Sequence, residues 1–195
     1  PRMQEIFSLI DRVARTNSTV LLQGGHNPEI RLDDWLTYIR AIRSVCPAIH
    51  IHPFSPAEYV FMARTEKIPV EEVLQAVYAE GVRTIPGGGA EILSDRVRRI
   101  LAPGKTMSAE WIDIMEKAHL VGLPTTVTMM FAHVETYAER VEHFLRVRES
   151  QDKTGGYTAF KHTLAVDAGI GLGNHLALFL VGIKINHLIL HLAVL

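Results

Sequence analysis

Two stretches, Leu21-Leu22-Gln23-Gly24-Gly25-His26-Asn27-Pro28 and Ile85-Pro86-Gly87-Gly88-Gly89-Ala90-Glu91-Ile92-Leu93, follow one pattern. Each is an apolar run that breaks into glycines and then releases into a helix-like spacing. Strands that end in glycine and pass directly into helices are the units of a barrel of alternating strands and helices, which presents backbone and polar groups at one rim.

Outward from these stretches the same beat continues. Ile6, Leu9, Ile10 and Val13 recur at helical spacing within residues 3–15, and Ser18 to Leu22 is a short β-rich run. Leu32-Asp33 opens a helix whose apolar stripe is Trp35, Ile39, Ile42 and Val45. Residues 49–54 predict a strand stopped by Pro53 and Pro56. Helices are predicted over 57–65 and 70–80, the second started by Pro69 and ended by Gly81. Thr84-Ile85 predicts a brief strand, 91–101 a helix, and 108–121 a helix capped by Ser108. Thr125 to Phe131 is the clearest strand; a long charged helix to about Lys153, a Gly155-Gly156 turn and a strand over 157–160 follow it. Five strands alternating with helices imply parallel β-structure with right-handed crossovers. The beat favours a partial (β/α) TIM-type barrel over an open sheet, spanning 1–160, with 161–195 a divergent apolar tail.

Bulk properties bound the function. The 195 residues carry 20 basic and 21 acidic side chains, for a net charge of -1, so there is no basic field for nucleic acid. Cys46 is the only cysteine, which excludes an internal disulfide framework and fits a reducing, cytoplasmic setting. The apolar stretch 169–195 is interrupted by Asn174, His175, Lys184, Asn186, His187 and His191, so no membrane span is expected there. The chain starts at Pro1 without an initiator Met, as a piece of something longer would.

Candidate chemistry gathers where the strands end: 23–26, 52–55, 86–91, 131–135, and after 160. Gly24 and Gly25 let backbone approach a ligand closely or expose its amides, or else make a tight turn. His50 and His52 lie on one face of a strand, a spacing shared with metal-dependent barrel hydrolases; His26 and His133 could complete such a site, although no carboxylate must converge with them. Gly87-Gly88-Gly89 could cradle a phosphate, but Glu91 would repel it and suits a ligand amino or hydroxyl group better. Arg96, Arg98 and Arg99 read as a solvated charged face. His133 at a barrel rim can carry or orient a proton, and Glu135 either joins it or begins the next helix favourably.

Read together, LLQGGHNP (21–28), IHIHPFSPAE (49–58), IPGGGAEILSDRVRR (85–99), TTVTMMFAHVETYAERVEH (125–143) and LRVRESQDKTGGYTAF (145–160) resemble radical S-adenosylmethionine enzymes of menaquinone biosynthesis by the futalosine route. The resemblance is best to the dehypoxanthine futalosine cyclases (cyclic dehypoxanthine futalosine synthases) and covers residues 4–160. Aminofutalosine synthases and deazaflavin-cofactor synthase subunits share much of this frame, and PGGGAEIL and MMFAHVET lean towards the cyclases.

The resemblance implies S-adenosyl-L-methionine and a 4Fe-4S cluster as cofactors, an electron donor for the cluster, and dehypoxanthine futalosine as the nucleoside substrate. A 5′-deoxyadenosyl radical would abstract a ribose hydrogen, and the resulting carbon radical would close a spirocycle. It implies Gln23, Gly24, Gly25 and Glu91 as cofactor-binding residues, Ser55 and His52 as substrate-binding residues, and His133 and Glu135 as catalytic residues. Two departures lead us to expect a fragment inactive alone. The family's three-cysteine cluster loop has no counterpart here, since Cys46 is wrongly placed. Past Phe160 the chain also leaves the family pattern, as a frame change or truncated gene would cause.

Overall fold

The computed structural model describes residues 19–164 and 189–193. The helix expected over 3–15 lies outside these residues, as does most of the apolar stretch. In chain order the described elements are β1 (Thr19–Gln23), α1 (Leu32–Val45), β2 (His50–Pro53), α2 (Pro56–Glu66), α3 (Val70–Ala79), α4 (Asp95–Leu101), α5 (Ser108–Val121), β3 (Thr125–Phe131), α6 (Tyr137–Thr154), β4 (Tyr157–Leu164) and β5 (Ile189–Ala193).

All strand pairs are parallel. β1 lies between β2 and β5, with Thr19 opposite His50 and Ile189. β3 pairs with β4, Val127 opposite Phe160 and Thr128 opposite Lys161. Thr84-Ile85 contributes a single bridge, Ile85 to Thr125, at the edge of β3, and meets β2 through the Thr84 hydroxyl, which lies 2.7 Å from both His50 and His52. The described strands make a partial TIM-type barrel wall that does not close. β4 runs through residue 161, and Ile189–Ala193 adds a strand to the edge of β1.

The wall has two unlike faces because side chains alternate along each strand. Val20, Leu22, Ile51, Val127 and Met129 face the helices and are buried. Trp35, Ile39 and Ile42 of α1, Val73, Leu74 and Val77 of α3, and Trp111, Ile114 and Met115 of α5 pack against the first four in one core, while Met129 packs with Ile92 and Val97 in a second, smaller cluster. Val45, expected in the α1 stripe, is exposed because the helix ends there. The opposite face carries Thr19, His50, His52, Thr84, Thr126, Thr128 and Lys161 together with Leu21 and Met130, and is mostly polar. Burial of one face thus leaves the other available for chemistry.

Two glycines are set by close approach. A Cβ on Gly24 would sit 1.8 Å from the Trp35 ring, and one on Gly87 would sit 1.7 Å from the Thr126 carbonyl oxygen. Gly87 is fastened there from both sides. Its N–H donates to Thr126 Oγ1 (2.9 Å) and its carbonyl accepts from Thr128 Oγ1 (2.7 Å). The short strand at 84–85 therefore continues past its single bridge as a side-chain-clamped loop rather than a ladder.

The helix starts differ from the sequence expectation in two places. Residues 91–94 are loop rather than helix, because Gly89 and Glu91 both take positive φ (76° and 41°), and α4 begins only after Ser94. Ser108 is the first residue inside α5, its N–H bound by Asp95 Oδ1 at 2.9 Å. No helix among the described residues is long and apolar enough to cross a membrane.

Gly87→Ala is expected to destabilise the chain by about 1–3 kcal/mol through overpacking against rigid backbone, read as a lowered urea midpoint. Gly88→Ala, where a Cβ meets nothing within 4 Å, should leave the midpoint nearly unchanged.

Candidate functional site

Four successive strand ends carry residues at positive φ: Gly25 (φ 62°) after β1, Phe54 (55°) after β2, Gly89 (76°) and Glu91 (41°) after Ile85, and Ala132 (70°) after β3. Three of these five are not glycine. Non-glycine residues pay a steric cost in this region and persist where surroundings force them, most often at functional sites. The C-terminal rim is thus the strained side of the wall, as expected for a barrel whose function sits there.

Buried carboxylates hold these loops. Glu58, 5% exposed, accepts the N–H groups of Gly24 (2.8 Å) and Gly25 (3.0 Å) on one oxygen. Its other oxygen accepts the N–H and hydroxyl of Ser55 (2.6 and 2.7 Å). One side chain ties the loop after β1 to the loop after β2. This revises the expectation that the Gly24-Gly25 amides are exposed to a ligand. With the N–H groups engaged, the segment offers carbonyl oxygens, which suit a ligand ammonium rather than a phosphate or carboxylate. Ser55 is bound into the same cluster. Gln23 and His26 are exposed beside it, His26 stacked on Phe61 at 4.9 Å. Glu58 was not among the residues singled out, although Ser55-Pro56-Ala57-Glu58 has the spacing of a capping box.

Glu135 does the same at β3. Its carboxylate, with the side chain fully buried, accepts from the N–H of Ala132 (2.6 Å) and His133 (2.9 Å) and from Arg140 Nε (2.7 Å). Burial alone would raise its pKa, but these donors outweigh it and hold it down at about 2. Glu135 therefore holds the turn as a carboxylate and precedes α6 rather than opening it. His133 stands over it, its side chain 10% exposed and Nδ1 3.3 Å from Glu135 Oε2. Neither ring nitrogen of His133 makes a hydrogen bond among the described residues.

Glu91 contacts Lys105 Nζ at 3.0 Å, and its backbone carbonyl accepts from Met130 N–H, fastening the loop to β3. Arg98 is not on a solvated face. It is fully buried and its guanidinium donates to the carbonyls of Ala90 and Thr106. Burial lowers its pKa, with Glu91 and Asp95 opposing that. Arg96 pairs with Glu139, which also accepts from Ser94 Oγ and the Thr136 N–H. Helix spacing alone could not separate the buried member of this arginine trio from the exposed ones.

His50 and His52 meet at Thr84. His50 Nε2 and His52 Nδ1 each lie 2.7 Å from the Thr84 hydroxyl, and His50 Nδ1 lies 3.2 Å from Thr19 Oγ1. Among the described residues no group of three or more His, Cys, Asp or Glu side chains could hold a metal ion. Both nitrogens of His50 and Nδ1 of His52 lie against hydroxyls, so among the described residues the pair is a hydroxyl-bridged one rather than the metal-holding pair of a hydrolase. Burial, then His50, then Lys161 lower the His52 pKa to about 4.

Residues 1–147 match the family model described as the Radical SAM superfamily. A protein of Methanosarcina mazei named 5-amino-6-(D-ribitylamino)uracil–L-tyrosine 4-hydroxyphenyl transferase 1 is 45% identical over 159 residues, covering 81% of this chain and 42% of the relative. Proteins of Archaeoglobus fulgidus (41% over 157 residues, 80% of this chain, 46% of the relative) and Gloeobacter violaceus (41% over 156 residues, 77% and 40%) carry the same transferase name. The chain spans less than half the length of these relatives. Their name is not that of the futalosine cyclases to which the sequence phrases lean; it matches the sister reading, a deazaflavin-cofactor synthase subunit. An alanine racemase from Acinetobacter baumannii superposes with a TM-score of 0.29 at 15% identity, covering 82% of this chain and 55% of the racemase, too distant to inform the fold.

Two predictions follow from the rim. Glu58→Gln replaces two acceptor oxygens by one, and should cost about 1–3 kcal/mol while speeding amide exchange at Gly24 and Gly25; unchanged exchange there would contradict the bridge. The second concerns acid. His52, His119 of α5 (2.9 Å from Thr125 Oγ1) and the buried His143 of α6 (Nδ1 accepting from the Leu93 N–H) are held neutral, chiefly by burial, with pKa values lowered from 6.5 to about 4. A lowered histidine pKa means the unfolded chain binds protons first. Stability should be full above pH 6.5 and fall as pH drops to 4, with Glu135 extending the loss from 4.5 towards 2. Urea unfolding at pH 7 and 4.5 measures it; equal stability at both would refute it.

Proposed function

Because the chain belongs to the radical SAM superfamily, we propose that it forms part of the barrel of an enzyme acting on 5-amino-6-(D-ribitylamino)uracil and L-tyrosine. These are the compounds named for its 41–45% identical relatives. The reading is that of a deazaflavin-cofactor synthase subunit, in place of dehypoxanthine futalosine cyclisation. The agreement of the transferase name among these relatives carries it.

S-adenosylmethionine with a 4Fe-4S cluster supplies this superfamily with the radical that starts the reaction. The residues here fit the first better than the second. A single cysteine cannot provide three thiolate ligands, so the cluster is not assigned to these residues. The carbonyl face of Gly24 and Gly25, with Gln23 beside it, suits the ammonium end of S-adenosylmethionine. We assign to Glu91, on the loop that Arg98 and Met130 fasten and with one oxygen accepting from Lys105, the acceptance of a nucleoside hydroxyl. His133, nine-tenths buried over Glu135, is held without a hydrogen bond of its own at the rim, where it can orient or carry a proton. Ser55 and His52, at the end of β2, are the residues we assign to substrate contact.

Saturation-transfer NMR of the chain with L-tyrosine, 5-amino-6-(D-ribitylamino)uracil and dehypoxanthine futalosine tests this reading. Signal transfer to either of the first two, reduced in His133→Ala, is expected. Transfer to dehypoxanthine futalosine alone would return the assignment to the cyclase.

A further inference from the structure

The polar face of the wall contains a connected chain of hydrogen bonds that no role above uses. Thr19 Oγ1, His50, Thr84 Oγ1 and His52 follow one another across β1, β2 and the 84–85 strand, with contacts of 3.2, 2.7 and 2.7 Å. We propose that this chain is a proton relay, in which His52 Nε2 takes a proton from an N–H or O–H group of the substrate and Thr19 returns one to solvent.

The argument is one of proton counting. A threonine hydroxyl has a single hydrogen. Thr84 touches Nε2 of His50 and Nδ1 of His52, so with neutral imidazoles it donates to one ring and accepts from the other. Donation to His50 leaves both rings carrying hydrogen on Nδ1; donation to His52 leaves both carrying it on Nε2. The two rings are thereby locked to the same tautomer, and the chain has two polarisations of opposite sense.

In the Nδ1–H polarisation, His52 Nε2 is a base. When the substrate X–H bond breaks and an Nε2–H bond forms, the Nδ1 proton passes to Thr84 and the Thr84 proton to His50 Nε2. The His50 Nδ1 proton passes to Thr19, whose own hydrogen leaves to water. One proton enters, one leaves, and no electrons move. The reverse sequence delivers a proton.

The surroundings of His52 favour its neutral ring. The groups that depress His52 are its burial, His50 on its own strand and Lys161 from β4. Thr84 faces it from the 84–85 strand, and Leu21 lies opposite it on β1. His50 is exposed and His52 is not, so the chain leads from the inner face to solvent. The role of the inner face as the substrate chamber rests on the function proposed above; the relay geometry does not.

Long-range ¹H–¹⁵N NMR of the 195-residue chain at pH 7 tests the geometry without cofactor. The expected result is one tautomer shared by His50 and His52, and loss of that agreement in Thr84→Val with retention in Thr84→Ser. Opposite tautomers in the unsubstituted chain would overturn the relay whatever the variants do. The full-length enzyme of which this chain forms part, carrying its cluster and S-adenosylmethionine, then tests its use. Thr84→Val should lower kcat by on the order of 10²-fold with KM little changed, and Thr84→Ser should restore it. Coupled tautomers with kcat unaffected in Thr84→Val would leave a structural network only and overturn the relay. Failure of turnover with tyrosine and ribitylaminouracil in the unsubstituted enzyme would instead count against the proposed function.

Discussion

A single buried carboxylate, Glu58, carries the rim. Its two oxygens accept four hydrogen bonds from two loops that are more than thirty residues apart in sequence. The strand ends of β1 and β2 are therefore one unit rather than two independent turns. The unit is also tied to the core, because Gly24 packs flat on Trp35 and no side chain fits between them. A charge this deep is stable only when its acceptor capacity is filled, so any movement of either loop is costly. Glu135 and Glu139 repeat the device further round the wall, each holding a loop or a helix start through backbone N–H groups and an arginine. The left-handed residues at four strand ends are the strain that these fastenings hold in place.

The periodic parts of the fold were legible in the sequence. Apolar spacing located the described helices to within a few residues and the strands β1, β2 and β3 nearly to their ends, since hydrophobic period follows from which face is buried. Where the reading departed from the structure, local chemistry overrode period. Residues 91–94 have helical composition, yet the clamp of Gly87 by Thr126 and Thr128 and the Glu91–Met130 bond keep them as loop. Arg98 has the same sequence context as Arg96 and Arg99; only the carbonyls of Ala90 and Thr106, brought close by the fold, distinguish it.

The candidate site was legible as a set of strand ends and not as a set of contacts. Gln23, Gly24, Gly25, Ser55, Glu91, His133 and Glu135 do fall on one rim. Of their partners, Glu58, Arg98 and Arg140 lie inside the quoted phrases and Thr84 just outside one, but the phrases do not say which residue binds which. Glu58 reaches Gly24 and Thr84 reaches His52 from more than thirty residues away, separations that no motif encodes. His50 and His52 illustrate the limit: their spacing is shared by metal sites and hydroxyl-bridged pairs alike, and Thr84 decides between them. The family resemblance reached the superfamily correctly, whereas the relatives' transferase name favours the sister reading over the cyclase.

The central claim is that the rim holds the methionine and nucleoside ends of S-adenosylmethionine. Backbone chemical-shift changes in the 195-residue chain on titration with S-adenosylmethionine measure this most directly. The account predicts saturable shifts centred on Gln23 to Gly25 and Gly88 to Glu91, weakened by Glu58→Gln. Shifts absent from both loops, or confined to the outer groove lined by Tyr78, Lys117 and Leu120, would contradict it.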